Sequence, residues 1–351
     1  MKTDMLRNSY QNNFSIILGM FCLVVVYMHS VWVGGFNVAD FGTNSYKLKQ
    51  FMSLLLMSIV PGFFFLWGYL SNKYFSSDER AVAFMKRKLL QFYPIYFISF
   101  LFNVLYRIDY FTNIPWGKIA LGAAGVYYES KQGGGGNIFL VVFFVLVTVC
   151  MFKVLGLGKR GIWIFTFLCL AMTKILPHEV ELCYIQYFGY YSAFFLGCFL
   201  KEMNFLDFKW NTMGALEKLL LLVICAVGIG TPILNNFHVK FLEIQYNPNS
   251  FEHLFLVAAA VYFLNRFLEA TKFAVHEFPV QRFLHTIGNN AYGHFIIHTH
   301  IVKLFIYINS FLLLNKVIVQ LIVIATTSYL TVYWFLRIYK KAEMRFIPRV
   351  I

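Results

Sequence analysis

Long apolar runs separated by short polar ones organise this chain. Runs at roughly 14–32, 51–70, 89–105, 137–155, 161–175, 184–200, 217–234, 251–268, 286–309 and 317–336 each meet or approach the ~20 residues that a helix needs to cross a hydrocarbon core ~30 Å thick. The runs are continuous and lack the every-second-residue alternation of a membrane barrel. Open strands in lipid would leave backbone groups unpaired. The pattern predicts an all-α polytopic membrane protein, a bundle of about ten transmembrane helices. Residues 1–351 read as a single integral-membrane domain with no soluble domain. The longest polar stretches are loops around 33–50, 71–88, 106–136 and 235–250. Gly133 through Gly136 read as a flexible hinge ahead of the fourth run. No internal repeat is visible, which argues against a transporter built from two related halves.

Composition strengthens this picture. Hydrophobic residues make up 59% of the 351 positions and charged residues only 13%, with 41 Phe, so water-facing side chains are too few to cover the apolar surface. Most of the 30 Lys and Arg fall in segments that share one side if the N-terminus is cytoplasmic, which predicts that both termini lie inside. The net charge of +14 is then chiefly a topology signal and an attraction for anionic membrane lipid. With no basic soluble domain to present a patch, nucleic acid is not an expected partner. The first run is too long for a signal-peptide core and no small-x-small site follows it, so it is expected to stay as a spanning helix. The six cysteines are scattered without metal or redox spacing and read as small core residues.

Ionisable residues inside spanning helices are costly and are functional candidates by default. His29 closes the first apolar run, and its imidazole can take and return a proton near neutral pH. An interfacial histidine that only bridges helices is the plainer reading. The second run carries Val60-Pro61-Gly62-Phe63-Phe64-Phe65-Leu66-Trp67-Gly68-Tyr69, a Pro-Gly break followed by aromatic bulk. At the cytoplasmic mouth of the third run, Lys86, Arg87 and Lys88 could bind phosphates, or simply anchor the helix. The ninth run contains Ile287-Gly288-Asn289-Asn290-Ala291-Tyr292-Gly293-His294-Phe295-Ile296-Ile297-His298-Thr299-His300. Asn290, His294 and His298 recur every four residues and are expected to share a helix face, with His300 pointing elsewhere. No acidic partner follows a zinc-helix pattern, so no metal site is expected.

These stretches, in this order and spacing, resemble the membrane acyltransferase family 3, whose members acylate cell-surface sugars. The first run resembles the family's opening helix with its closing His. The Pro-Gly-Phe-Phe-Phe stretch resembles its second helix, with Trp67 where Ser is usual. Lys86 to Tyr96 resembles its basic start of helix three, with Gln91 where a second Arg is common. Ile287 to His298 resembles its late Tyr-Leu-Leu-His segment. Leu18, eleven residues before His29, stands where the family usually has Arg.

The resemblance implies a multi-pass protein of the bacterial inner membrane. It implies transfer of an acyl group, most simply acetyl, from cytoplasmic acetyl-CoA or another acyl-CoA to a hydroxyl. The acceptor would be a surface polysaccharide such as an O-antigen, or its lipid-linked precursor. It assigns His29 to catalysis, with His298 as a second catalytic candidate. Lys86, Arg87 and Lys88 would hold the CoA phosphates, with no bound cofactor and no metal. The alternative is a non-catalytic polysaccharide exporter or membrane partner of the same fold, and a structural membrane subunit is blander still.

Overall fold

Hydrophobic burial sets the architecture of the computed structural model. It describes residues 13–27, 59–71, 75, 79–106, 112–125, 135–175, 188–230, 251–273, 278–312, 322 and 326. These residues are mostly helical, with no strand among them. In chain order the helices are α1 (Asn13–Tyr27), α2 (Ile59–Ser71), α3 (Ala81–Tyr106), α4 (Trp116–Ala123), α5 (Gly135–Leu155), α6 (Gly158–Ile175), α7 (Phe188–Glu202), α8 (Ala215–Cys225), α9 (Phe251–Ala270), α10 (Pro279–Gly288) and α11 (Ala291–Leu312). A π turn, Ala226–Gly230, prolongs α8. Among the described residues, three stretches are long and apolar enough to cross a membrane: Ala81–Leu105, Ile138–Leu155 and His253–Ala270. Asn13–Tyr27, Ile59–Ser71 and Gly161–Met172 are shorter apolar helices.

The centre of the bundle is the α2–α7 pair. A side chain at Gly68 would overlap the carbonyl of Phe194, and one at Gly197 would overlap the carbonyl of Phe65. Two small residues facing each other let the backbones touch, which is how helices associate in lipid, where burial of apolar surface gives little drive. Aromatic rings close the layer around this contact: Trp67 meets Phe194 edge-on at 4.8 Å, and Phe165 meets Phe195 at 4.7 Å. At one end of α9, Asn265 accepts from the Asn13 amide and donates to the Leu206 carbonyl, each at 3.2 Å. The Tyr69 hydroxyl accepts the Leu206 N–H at 3.2 Å, so buried polar groups of α1, α2 and α9 converge on the Phe205–Asp207 turn.

The sequence expectations change in several places. The stretch 106–136 is not all loop: Pro115 precedes α4, and the hydroxyl of Tyr93 (3.0 Å) and that of Tyr96 donate to the Ala123 and Gly122 carbonyls at its end. Side chains from α3 thus satisfy acceptors that a helix end leaves open. Gly135 and Gly136 open α5 instead of forming a hinge, while Gly133 lies outside the described residues. Helix α3 begins at Ala81, so Lys86, Arg87 and Lys88 sit on a helix and not in the 71–88 loop. The ninth run is broken into α10 and α11 at Asn289 and Asn290, where the Asn290 amide donates to the Thr286 carbonyl at 2.7 Å. Short polar side chains compete with the helix for its own backbone groups, and that competition ends α10. The tenth run lies almost wholly outside the described residues.

Candidate functional site

The break between α10 and α11 builds a cavity. Helix α10 lies directly on α1, because a side chain at Gly19 would overlap the Leu284 carbonyl and one at Gly288 the Ser15 carbonyl. The Ser15 hydroxyl donates to Asn289 Oδ1 at 2.7 Å, and the same amide donates through Nδ2 to His285 Nδ1 at 3.1 Å. On the far side, the Tyr292 hydroxyl donates to the Phe92 carbonyl at 3.2 Å and ties α11 to α3. Between these ties lies a cavity of about 200 Å³, walled by side chains from α1, α2, α3, α5 and α11 and by the α10–α11 turn. Leu18, Phe63, Trp67, Phe92 and Phe295 make it apolar. The polar side chains of Asn289 and Tyr292 on its described wall already spend hydrogen bonds on the structure itself.

His298 packs against Phe295, one of the residues that line this cavity. It is fully buried, and its ring meets Phe295 edge-on at 5.6 Å. Its Nδ1 is 3.0 Å from the His294 carbonyl. A carbonyl oxygen only accepts, so Nδ1 carries the proton, and Nε2 of the neutral ring holds the lone pair. That tautomer is the one a general base needs. His294 packs parallel to His298 with ring centroids 6.1 Å apart, and neither of its ring nitrogens meets a hydrogen-bonding partner among the described residues. The expected shared face of Asn290, His294 and His298 holds for the two histidines only, because Asn290 belongs to the turn. His300 does point elsewhere, with its Nε2 2.7 Å from the Ser99 hydroxyl on α3. Among the described residues no three metal-ligating side chains of His, Cys, Asp or Glu converge. His29 lies outside the described residues.

The three basic residues at the start of α3 do not form one cluster. Consecutive helical positions fan out by about 100°. Lys86 is exposed. Arg87 pairs with Glu79 through Nε–Oε1 at 3.0 Å and Nη2–Oε2 at 2.6 Å. That hydrogen bond, aided by the positive charges of Arg87, Lys153 and Lys88, holds the Glu79 carboxyl below the usual carboxylate range. Lys88 is only 5% exposed; it donates to Gln91 Oε1 at 3.2 Å and stands 5.7 Å from the Phe92 ring that walls the cavity. The structure therefore places Lys88 beside the cavity wall, engages Arg87 with a carboxylate, and leaves Lys86 to the surroundings.

A family model described as an acyltransferase domain matches residues 16–337, from α1 past the end of α11. The chain belongs to the membrane acyltransferase family 3. No curated protein and no solved structure matches it.

Within this acyltransferase, two of the residues that differ from the family pattern share one place. Leu18, where Arg is usual, and Trp67, where Ser is usual, both line the cavity. Gln91, where a second Arg is common, binds Lys88. Sequence reasoning did not single out Asn289 and Tyr292 as builders of this cavity. The Asn-Asn pair was the available signal, since adjacent asparagines inside an apolar run mark a helix break.

Proposed function

We propose that the chain transfers an acyl group from cytoplasmic acyl-CoA to a hydroxyl of a surface polysaccharide or its lipid-linked precursor. The observation that carries this reading is His298, buried against the cavity-lining Phe295 with its Nδ1 toward the His294 carbonyl, which puts the lone pair on Nε2. His29 and His298 are the catalytic histidines in this proposal. A histidine nitrogen accepts the proton of the acceptor hydroxyl, the oxygen attacks the thioester carbonyl, the C–S bond breaks, and the proton passes to the departing CoA thiolate. Positioned acid–base catalysis of this kind contributes ~10²–10⁴-fold. In this proposal Lys86, Arg87 and Lys88 hold the CoA phosphates at the start of α3 from separate faces of the helix, with Arg87 first leaving Glu79.

The bundle is a multi-pass protein of the bacterial inner membrane in this reading, with about ten spans and both termini in the cytoplasm. The charged nucleotide of the donor then stays on the side where CoA is made, and only the acyl group travels into the helices.

The test is the acyl content of the surface glycan, read by mass, in strains carrying His29→Ala or His298→Ala at normal protein level. Loss of the acyl mass supports the assignment. Unchanged acylation in both strains removes the histidines from catalysis and favours the exporter reading.

A further inference from the structure

We infer that the cavity between α1, α2, α3 and α11 holds an aliphatic acyl chain longer than acetyl, so that this enzyme prefers donors of medium chain length. The inference rests on the proposed acyl-CoA reading and narrows its donor.

Size argues first. An apolar cavity of ~150 Å³ takes benzene, so the ~200 Å³ here has room for up to about eight carbons. The single methyl of an acetyl group would leave most of that space empty.

The walls argue second. Leu18, Phe63, Phe64, Trp67, Phe92 and Phe295 offer carbon to the interior. The Tyr292 hydroxyl is turned to the Phe92 carbonyl, and the Asn289 amide is bound by Ser15 and His285. A polar acyl group such as a dicarboxylic half-thioester would bring charge into a site with no cation among its described lining residues.

Charge behind the Phe92 wall argues third. Lys88 is buried against the ring of Phe92, so a positive group adjoins an apolar chamber. An anionic head joined to an apolar tail has that complementary form, as an acyl-CoA of medium length does. A membrane lipid chain is the competing occupant.

Equilibrium binding of CoA and of acetyl-, butanoyl-, hexanoyl-, octanoyl- and dodecanoyl-CoA to the full chain in lipid nanodiscs tests this. Affinity is expected to rise by about fourfold per added methylene, through about eight carbons, and then level off. Val142→Phe, which fills the cavity from α5, should flatten the rise. Phe63→Ala should carry the rise to longer chains. Equal affinity for acetyl-CoA and octanoyl-CoA overturns the inference, as does a rise that both variants leave untouched, which would mark partition into lipid. Turnover is measured separately. Length-dependent binding without acyl transfer would preserve the chamber and sink the transferase reading, whereas transfer from acetyl-CoA alone would preserve the transferase and sink the chamber.

Discussion

The Nδ1 of His298 lies 3.0 Å from the carbonyl oxygen of His294, one turn earlier on the same helix. This contact puts the proton of His298 on Nδ1 and the lone pair on Nε2. His298→Asn keeps an N–H donor near the Nδ1 position but has no basic nitrogen. The variant should accumulate in the membrane at the wild-type level while acyl transfer falls by ~10²-fold or more. Transfer near the wild-type rate, measured as acyl release from CoA, would show that His298 is a packing residue.

Close packing at Gly68 and Gly197 makes a contrast with Gly117. Gly68→Ala drives a methyl group into the Phe194 carbonyl, and rigid backbone cannot yield cheaply. A loss of ~1–3 kcal/mol or more is expected. At Gly117 on α4 a methyl group meets nothing within 4 Å, so Gly117→Ala should be neutral or stabilising by ~0.5–1 kcal/mol. Thermal unfolding of the two variants in the same detergent should separate them in opposite directions.

Tyr292→Phe removes one hydroxyl and keeps the ring that lines the cavity. The Phe92 carbonyl loses a side-chain donor, which should cost ~0.5–1.5 kcal/mol. Cavity shape is retained, so donor selectivity should be unchanged while the melting temperature falls. A selectivity change without a stability change would mean that the hydroxyl faces the substrate.

Arg87 is held by Glu79, and this bears on donor binding. Glu79→Gln weakens the pair and leaves the guanidinium available to phosphate, so KM for acyl-CoA should fall if Arg87 belongs to the donor site. An unchanged KM removes Arg87 from it. The pair also has a pH signature. The folded-state pKa of Glu79 is depressed, so its contribution to stability is present above the unfolded carboxylate value and is lost as pH falls through the folded one. Both groups are partly exposed, so the effect is small and fades in high salt. Acid titration of stability should show it in the native chain and not in Glu79→Gln.

Much of the fold was legible from the order of residues, because lipid selects for long apolar runs and the period of their side chains marks helices. The runs near 51–70, 137–155 and 251–268 appear as α2, α5 and α9 with ends within a few residues where they are described; residues 51–58 lie outside the described ones. What the runs could not convey was continuity. Asn289 and Asn290 sit inside an apolar stretch, and their bonds to Ser15, His285 and Thr286 hold the break in place. Likewise, Lys86, Arg87 and Lys88 look like one patch in the sequence, yet three successive helical positions point in three directions and meet three different surroundings.

The amino-acid sequence by itself determined that the chain is helical and apolar and that it resembles a membrane acyltransferase, since composition, run length and ordered motifs are local properties. Tertiary structure decided which residues meet. Leu18 and Trp67, 49 positions apart, face one cavity. His298 was visible as a histidine in an apolar run, but its tautomer depends on a carbonyl one turn away and its burial on every helix around it. Proximity between distant parts of a chain is set by how side-chain volumes and close backbone contacts fit together, and no single run contains that information.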